Sequence, residues 1–184
     1  MITPTLYFLR SSEQKIATDI LHYAARLDEV GKTLADFPEL SIYNRYYGLS
    51  HRDIGLYTLS GTGVSGGAWI RLIAEDKGAN AFIDSQTPIL SIAVKPEFRS
   101  QGIGSMMLEQ LLQEAGSRYE QISVSVLDNS PAMKFFEKFG FIKHDAPHKK
   151  SPVDAKPVIT MLKTVSKDAV QRPNDGYNPS RWMD

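Results

Sequence analysis

The residues best suited to chemistry stand together in the stretch SIAVKPEFRSQGIGSMMLEQLLQ, Ser91 to Gln113. An apolar, β-branched run passes through a short basic loop and into a helical pattern by way of Gly102 and Gly104, with Arg99 and Gln101 just ahead. Glycine lets a backbone approach a ligand closely, and the first amides of a helix have no intrahelical acceptor. An arginine fork beside such amides suits a phosphate, and a pyrophosphate best of all. Met107 stands where a dinucleotide fingerprint requires its third glycine, and no Lys-Ser or Lys-Thr pair completes a P-loop. Gly61, Gly63 and Gly66 do have the fingerprint spacing, but GGAWIRLIA after them alternates as a strand does, so GTGVSG reads as a hairpin turn.

Other reactive side chains are sparse. The chain has no cysteine, which excludes disulfides, thiolate metal sites and a cysteine nucleophile. His22, His51, His144 and His148 lack metal-ligand spacing, so no metal is expected. The 21 basic and 21 acidic residues cancel, which removes any global field for nucleic acid or an anionic membrane; any anion site must be local. No stretch approaches the length of a membrane span, and together with the lack of cysteine this predicts a cytoplasmic protein.

The elements that must position the Arg99–Ser105 loop follow from periodicity. TLYFLR is a strand. SSEQKIATDILHYAARL predicts a helix through Ile16, Ile20, Ala24 and Leu27 behind a Ser11/Gln14 capping box. A second helix is predicted from Asp36 or Phe37 to Gly48, with Pro38 in its first turn and Leu40, Tyr43 and Tyr47 on one side. DIGLYTLS and GGAWIRLIA form a hairpin, and TPILSIAV is a strand buried on both faces. A helix from Ile103 lines up Met107, Leu111 and Ala115 and ends near Gly116. QISVSVL sets Ile122, Val124 and Val126 against a wetter serine face. DNSPAMKFFEKFGF predicts a short helix capped by Ser130 and stopped by Gly140, and FIKH and PVITMLKTV are strands around a polar loop. Residues 1–164 make one domain, and 165–184 a polar tail, flexible or held by Tyr177 and Trp182 alone.

VKPEFRSQGIGSMML resembles the central Arg-x-x-Gly-x-Gly motif of the GCN5-related N-acetyltransferase (GNAT) family, and VLDNSPAMKFFEKFGF resembles that family's following motif, Asn-x-x-Ala-x-x-Phe-Tyr-x-x-x-Gly-Phe. The resemblance covers about residues 5 to 164. It implies an α/β fold, a three-layer αβα sandwich around a mixed sheet whose central strands splay apart. It implies acetyl-CoA as acyl donor and a primary amine as acceptor, attacking directly without a covalent enzyme intermediate. An isologous dimer would be in keeping with the family.

Carried over residue by residue, the resemblance implies that Ile92, Ala93 and Val94 pair with the pantetheine arm. It sets the pyrophosphate on the amides of Gln101, Gly102, Ile103, Gly104 and Ser105, with Arg99 and Ser100 beside it. Asn129 would touch the cofactor or order the end of its strand; as a residue it is equally a turn former. Phe136 replaces the family's usual tyrosine acid and can pack but not donate a proton, while Ile89 replaces a common glutamate. Ser91, Asp84 and Asn129 are the polar residues left as catalytic candidates. Glu75, Tyr57 and Tyr47 are further acceptor-side groups, better explained by solvation or packing. Tyr43, Tyr46 and Tyr47 would shape an apolar or aromatic acceptor pocket, and Lys149 and Lys150 would reach a 3′-phosphate or simply stay solvated. Two other readings stand beside the enzyme: a catalytically weak acyl-CoA sensor or scaffold, favoured by Phe136 and Ile89, and an interaction module that kept only the fold.

Overall fold

A computed structural model describes residues 3–165, so the predicted tail from 165 to 184 lies, but for Val165, outside the described residues. Strand β1 (Thr5–Phe8) is followed by helix α1 (Gln14–Ala24) and a single helical turn, α2 (Leu27–Val30). Strands β2 (Ile54–Ser60) and β3 (Gly63–Arg71) form the hairpin, turning on Gly61 and Thr62. Then come β4 (Ile89–Val94), α3 (Ile103–Gly116), β5 (Gln121–Leu127) and α4 (Pro131–Lys138). Two-residue strands β6 (Ile142–Lys143) and β7 (Lys149–Lys150) flank the closing strand β8 (Pro157–Thr164).

The sheet runs β1-β2-β3-β4-β5-β8-β6, with β7 also on β8. All neighbours are antiparallel except β4 and β5, which α3 connects in parallel. Consecutive residues of β3 show the layering. A side chain at Gly66 would strike Met107 of α3, and one at Gly67 would press on Ile20 of α1. These glycines are therefore where helices on opposite faces approach the sheet, not a nucleotide motif. On the α3 side, Met107, Leu108 and Leu111 pack with Leu56, Ile70, Ile122 and Val124, and α4 adds Met133 and Phe136. Each such fully buried side chain contributes about 1.5–3 kcal/mol of apolar burial. Opposite them, Ala17, Ile20 and Leu21 of α1 cover Trp69, whose indole N–H donates to the Tyr43 carbonyl at 2.8 Å.

Four sequence expectations need correction. Glu13, not the Ser11/Gln14 pair, closes the start of the first helix, its carboxylate accepting from the Arg10 amide at 2.8 Å. That helix does not reach Leu27: Arg26 lies in the left-handed region at φ 59°, breaks the chain direction and starts α2. The predicted second helix is instead a 3-10 helix over Pro38–Tyr43. Only Leu40 and Tyr47 of the predicted segment are buried, and so short an apolar stripe does not sustain an α-helix. The serine face of β5 is wetter only in part: Gln121 and Ser125 are half-buried, but Ser123 is fully buried and donates to the Ala81 carbonyl at 2.7 Å.

Candidate functional site

The geometry of the site begins where β4 and β5 part. They share one paired position, Ile89 with Ser123, where the Ser123 amide donates to the Pro88 carbonyl at 3.1 Å. On the other edge of β4, the Lys95 amide donates to the Ser65 carbonyl at 2.8 Å. Peptide groups alternate in direction along a strand, so Ser91 and Ala93 pair towards β3 while Ile92 and Val94 turn theirs towards the gap. The Val94 carbonyl is met there by Arg99 Nε at 3.0 Å. Among the described residues, both peptide groups of Ile92 and the Val94 amide are left without a strand partner on that side, presented as an edge would present them.

Straight after β4, a 3-10 turn at Pro96–Phe98 leads through Ser100, at φ 63°, and Gly102, at φ 79°, into α3. Gly102 is required by that positive φ, since a Cβ there would meet nothing within 4 Å. Gly104, in the first turn of α3, is different: a Cβ would touch Phe135 at 3.6 Å and Val94 at 3.8 Å, ordinary contacts. The helix is fixed from behind by Ile103, Met107 and Leu108, so its free amides are held rigidly at the end of the gap.

Through this gap passes a cavity of about 760 Å³. On the α3 side its wall includes Ile92, Val94, Arg99, Ser100, Gly102, Ile103, Gly104 and Ser105, then Phe135 and Phe136 of α4. On the α1 side it is walled by Leu21, Tyr23, Arg26, Glu29, Leu40, Tyr43, Asn80 and Ser151. The sheet is thus perforated, with a helix mouth at one end of the channel and a mixed aromatic and charged rim at the other.

The residues singled out by sequence distribute unevenly around it. Ser91, only 9 % exposed, and Ala93 are on the cavity wall with their neighbours in β4. Gln101 is exposed on the outside of the loop and is not part of the wall. Phe136 is on the wall but only 4 % exposed, packed edge-on against Phe135 and Phe141, so it closes the floor. Asn129 is exposed at φ 53° and turns the chain into α4, away from the cavity wall. Asp84 ties off its own turn, accepting from the Gln86 amide at 2.8 Å and the Thr87 hydroxyl at 2.9 Å. Of the tyrosines, Tyr43 reaches the wall, Tyr47 is buried against Trp69, and Tyr46 is exposed beneath Arg45. Lys149 donates to the Asn80 carbonyl at 3.1 Å.

Sequence reasoning missed Tyr23, Arg26, Glu29, Asn80 and Ser151. Arg26 grips Asp154 with both terminal nitrogens, at 3.0 and 3.2 Å, and also reaches Ser151 at 3.3 Å and Glu29 at 3.2 Å. Burial works against the Asp154 carboxylate, but hydrogen bonds from Arg26 and the Lys156 amide hold its pKa below the usual range. Burial raises the pKa of Tyr43, which the Asn80 amide only partly offsets, so that phenol is neutral at ordinary pH.

Residues 61–143 match the family model described as the acetyltransferase (GNAT) domain. An acetyltransferase of the GNAT family from Streptococcus pneumoniae superposes with a TM-score of 0.66 at 15 % identity, covering 88 % of this chain and 99 % of the other. A GNAT-superfamily phosphinothricin acetyltransferase from Sinorhizobium meliloti, in complex with acetyl-CoA, gives 0.61 at 17 % identity, covering 97 % of each chain. The ribosomal-protein-S18-alanine N-acetyltransferase from Escherichia coli gives 0.58 at 17 % identity, covering 96 % of this chain and all of the other. Comparison with curated proteins gives no match. The family-model match lies within the central part of the chain, and these solved structures share its fold. No helix among the described residues is long and apolar enough to cross a membrane.

Proposed function

We propose that this chain is an acetyl-CoA-dependent N-acetyltransferase whose acceptor is a primary amine. The observation that carries the reading is the gap beyond Ile89 and Ser123, opening onto the Gly102–Ser105 helix mouth. Its residues fit the donor well. The peptide groups of Ile92 and the Val94 amide are open to an amide-bearing arm, and the α3 amides with the terminal nitrogens of Arg99 suit a pyrophosphate. Bound acetyl-CoA supplies a thioester carbonyl open to attack by a neutral amine. The Val94 amide is the donor available to a developing oxyanion, and its neighbouring carbonyl is already neutralised by Arg99.

A free alkylammonium has a pKa of about 10.4, so the site must take up the rare neutral amine or accept its proton. The departing thiolate, with a thiol pKa of about 8.5, leaves tolerably without an acid. That suits Phe136, which cannot provide one. The burial of Phe136 among aromatic rings equally favours a second reading, an acyl-CoA sensor that binds without turnover.

Release of free thiol from acetyl-CoA, followed across a panel of amines, separates the two. The enzyme gives acceptor-dependent thiol and an acetylated amine by mass. Saturable binding with no acceptor-dependent release by any amine leaves the sensor.

A further inference from the structure

The α1-side end of the cavity has a definite chemical character. Its wall is largely apolar and aromatic, from Leu21, Tyr23, Leu40 and Tyr43. Two charged residues interrupt it there, Arg26 and Glu29. Arg26 has spent its binding capacity. Each terminal nitrogen carries two N–H groups, and these meet Asp154, Glu29 and Ser151, which leaves only Nε–H. A carboxylate ligand needs the two parallel donors of a free fork, so Arg26 cannot offer one.

Glu29 is in the opposite condition. Only Oε2 accepts from Arg26, and the side chain is 51 % exposed, so Oε1 is left without a protein donor among the described residues. Among the described residues it is the one carboxylate on the cavity wall, and Tyr43 is held neutral. Asp154 adds a second negative charge against Arg26. The nearby ammonium groups are turned elsewhere: Lys156 is 3.9 Å from Asp154, Lys149 is on the Asn80 carbonyl, and neither forms part of the wall.

We propose that this end takes a cationic primary amine with an apolar or aromatic body and no carboxylate beside its nitrogen, and that Glu29 is the group that recognises the ammonium. The proposal rests on the acetyltransferase reading and names its acceptor class. An amine of this kind brings its charge to Glu29 and its body to Tyr23 and Tyr43. A free α-amino acid would bring a carboxylate to a rim that repels it and has no open fork to receive it.

The test uses the full chain saturated with CoA, which lacks the acetyl group and so prevents turnover, titrated with tyramine and with tyrosine. The two ligands differ only by the carboxylate. Tyramine is expected to bind at least about tenfold more tightly, a difference of about 1.4 kcal/mol. Glu29→Gln should weaken tyramine by a similar factor while CoA affinity holds. Asp154→Asn, by releasing the Arg26 fork, should narrow the preference in favour of tyrosine. Equal binding of the pair, no binding of either, or an unmoved tyramine affinity in Glu29→Gln overturns this inference and leaves the cofactor site standing. Failure of the parent chain to bind CoA removes the acetyltransferase reading and this inference together.

Discussion

Replacing Gly104 by alanine separates the fold from the site, because the two respond in opposite directions. Gly104 is the second residue of α3 and has no positive φ to protect. A methyl there meets Phe135 at 3.6 and 3.8 Å and Val94 at 3.8 Å, so nothing need move. Glycine in a helix costs roughly 0.5–1 kcal/mol relative to alanine, and that saving should raise the melting temperature of a domain this size by about 1–4 °C. The methyl, however, tilts towards the helix N-terminus, as every helical Cβ does, and so enters the helix mouth between Val94 and Phe135. A carbon held in van der Waals contact keeps a phosphate oxygen away from the amides behind it. Losing one hydrogen bond to a charged group costs about 1.5–3 kcal/mol, so acetyl-CoA affinity should fall by about ten- to a hundredfold. Calorimetric titration beside a thermal melt reads both quantities. A Gly104→Ala protein that melts no lower than the parent and binds acetyl-CoA equally well would refute the placement of the pyrophosphate on α3.

Three further outcomes follow from the same geometry. Gly102→Val should weaken acetyl-CoA and also destabilise by about 1–2 kcal/mol, because φ 79° is left-handed; a melt unchanged from the parent would contradict the backbone account. Phe136→Tyr adds a hydroxyl on the cavity floor and should change turnover more than acetyl-CoA affinity; the reverse pattern, measured by steady-state kinetics and titration, would make Phe136 a packing residue only. Asp154, only 12 % exposed, has a pKa below its unfolded value of about 3.9, so its contribution to stability is present above that pH and is lost as pH falls through the lower folded value. Melts below about pH 4 should therefore decline less steeply in Asp154→Asn than in the parent, and identical slopes would contradict the pairing with Arg26.

The helix-mouth end of the cavity was legible because it is local. One continuous run, from Ile92 to Ser105, supplies the strand edge, the arginine and the helix mouth, and a glycine at a helix start leaves a visible mark. At the other end of the cavity only Tyr43 was legible, since Tyr23, Arg26, Glu29, Asn80 and Ser151 come from separate segments that only the folded sheet brings together. Arg26 was hidden for a second reason: a left-handed arginine inside a helical pattern has no signature, where a glycine would have had one. Ser123 misled in another way. Alternation with serine looks like a solvated face, but a buried hydroxyl satisfied by the Ala81 carbonyl gives the same pattern. The split between β4 and β5 is invisible in either strand alone, because both are apolar enough to be central, and only their register shows that pairing stops at Ile89 and Ser123.

The most direct test of the account is a calorimetric titration of the parent chain with acetyl-CoA, repeated in the presence of excess CoA. The account predicts saturable binding with one molecule per chain, suppressed by CoA because both share the pantetheine arm and the pyrophosphate. Absence of heat and of saturation at high acetyl-CoA concentration would contradict it, and would mean that the gap beside Ile92 and Val94 serves the fold without holding a donor.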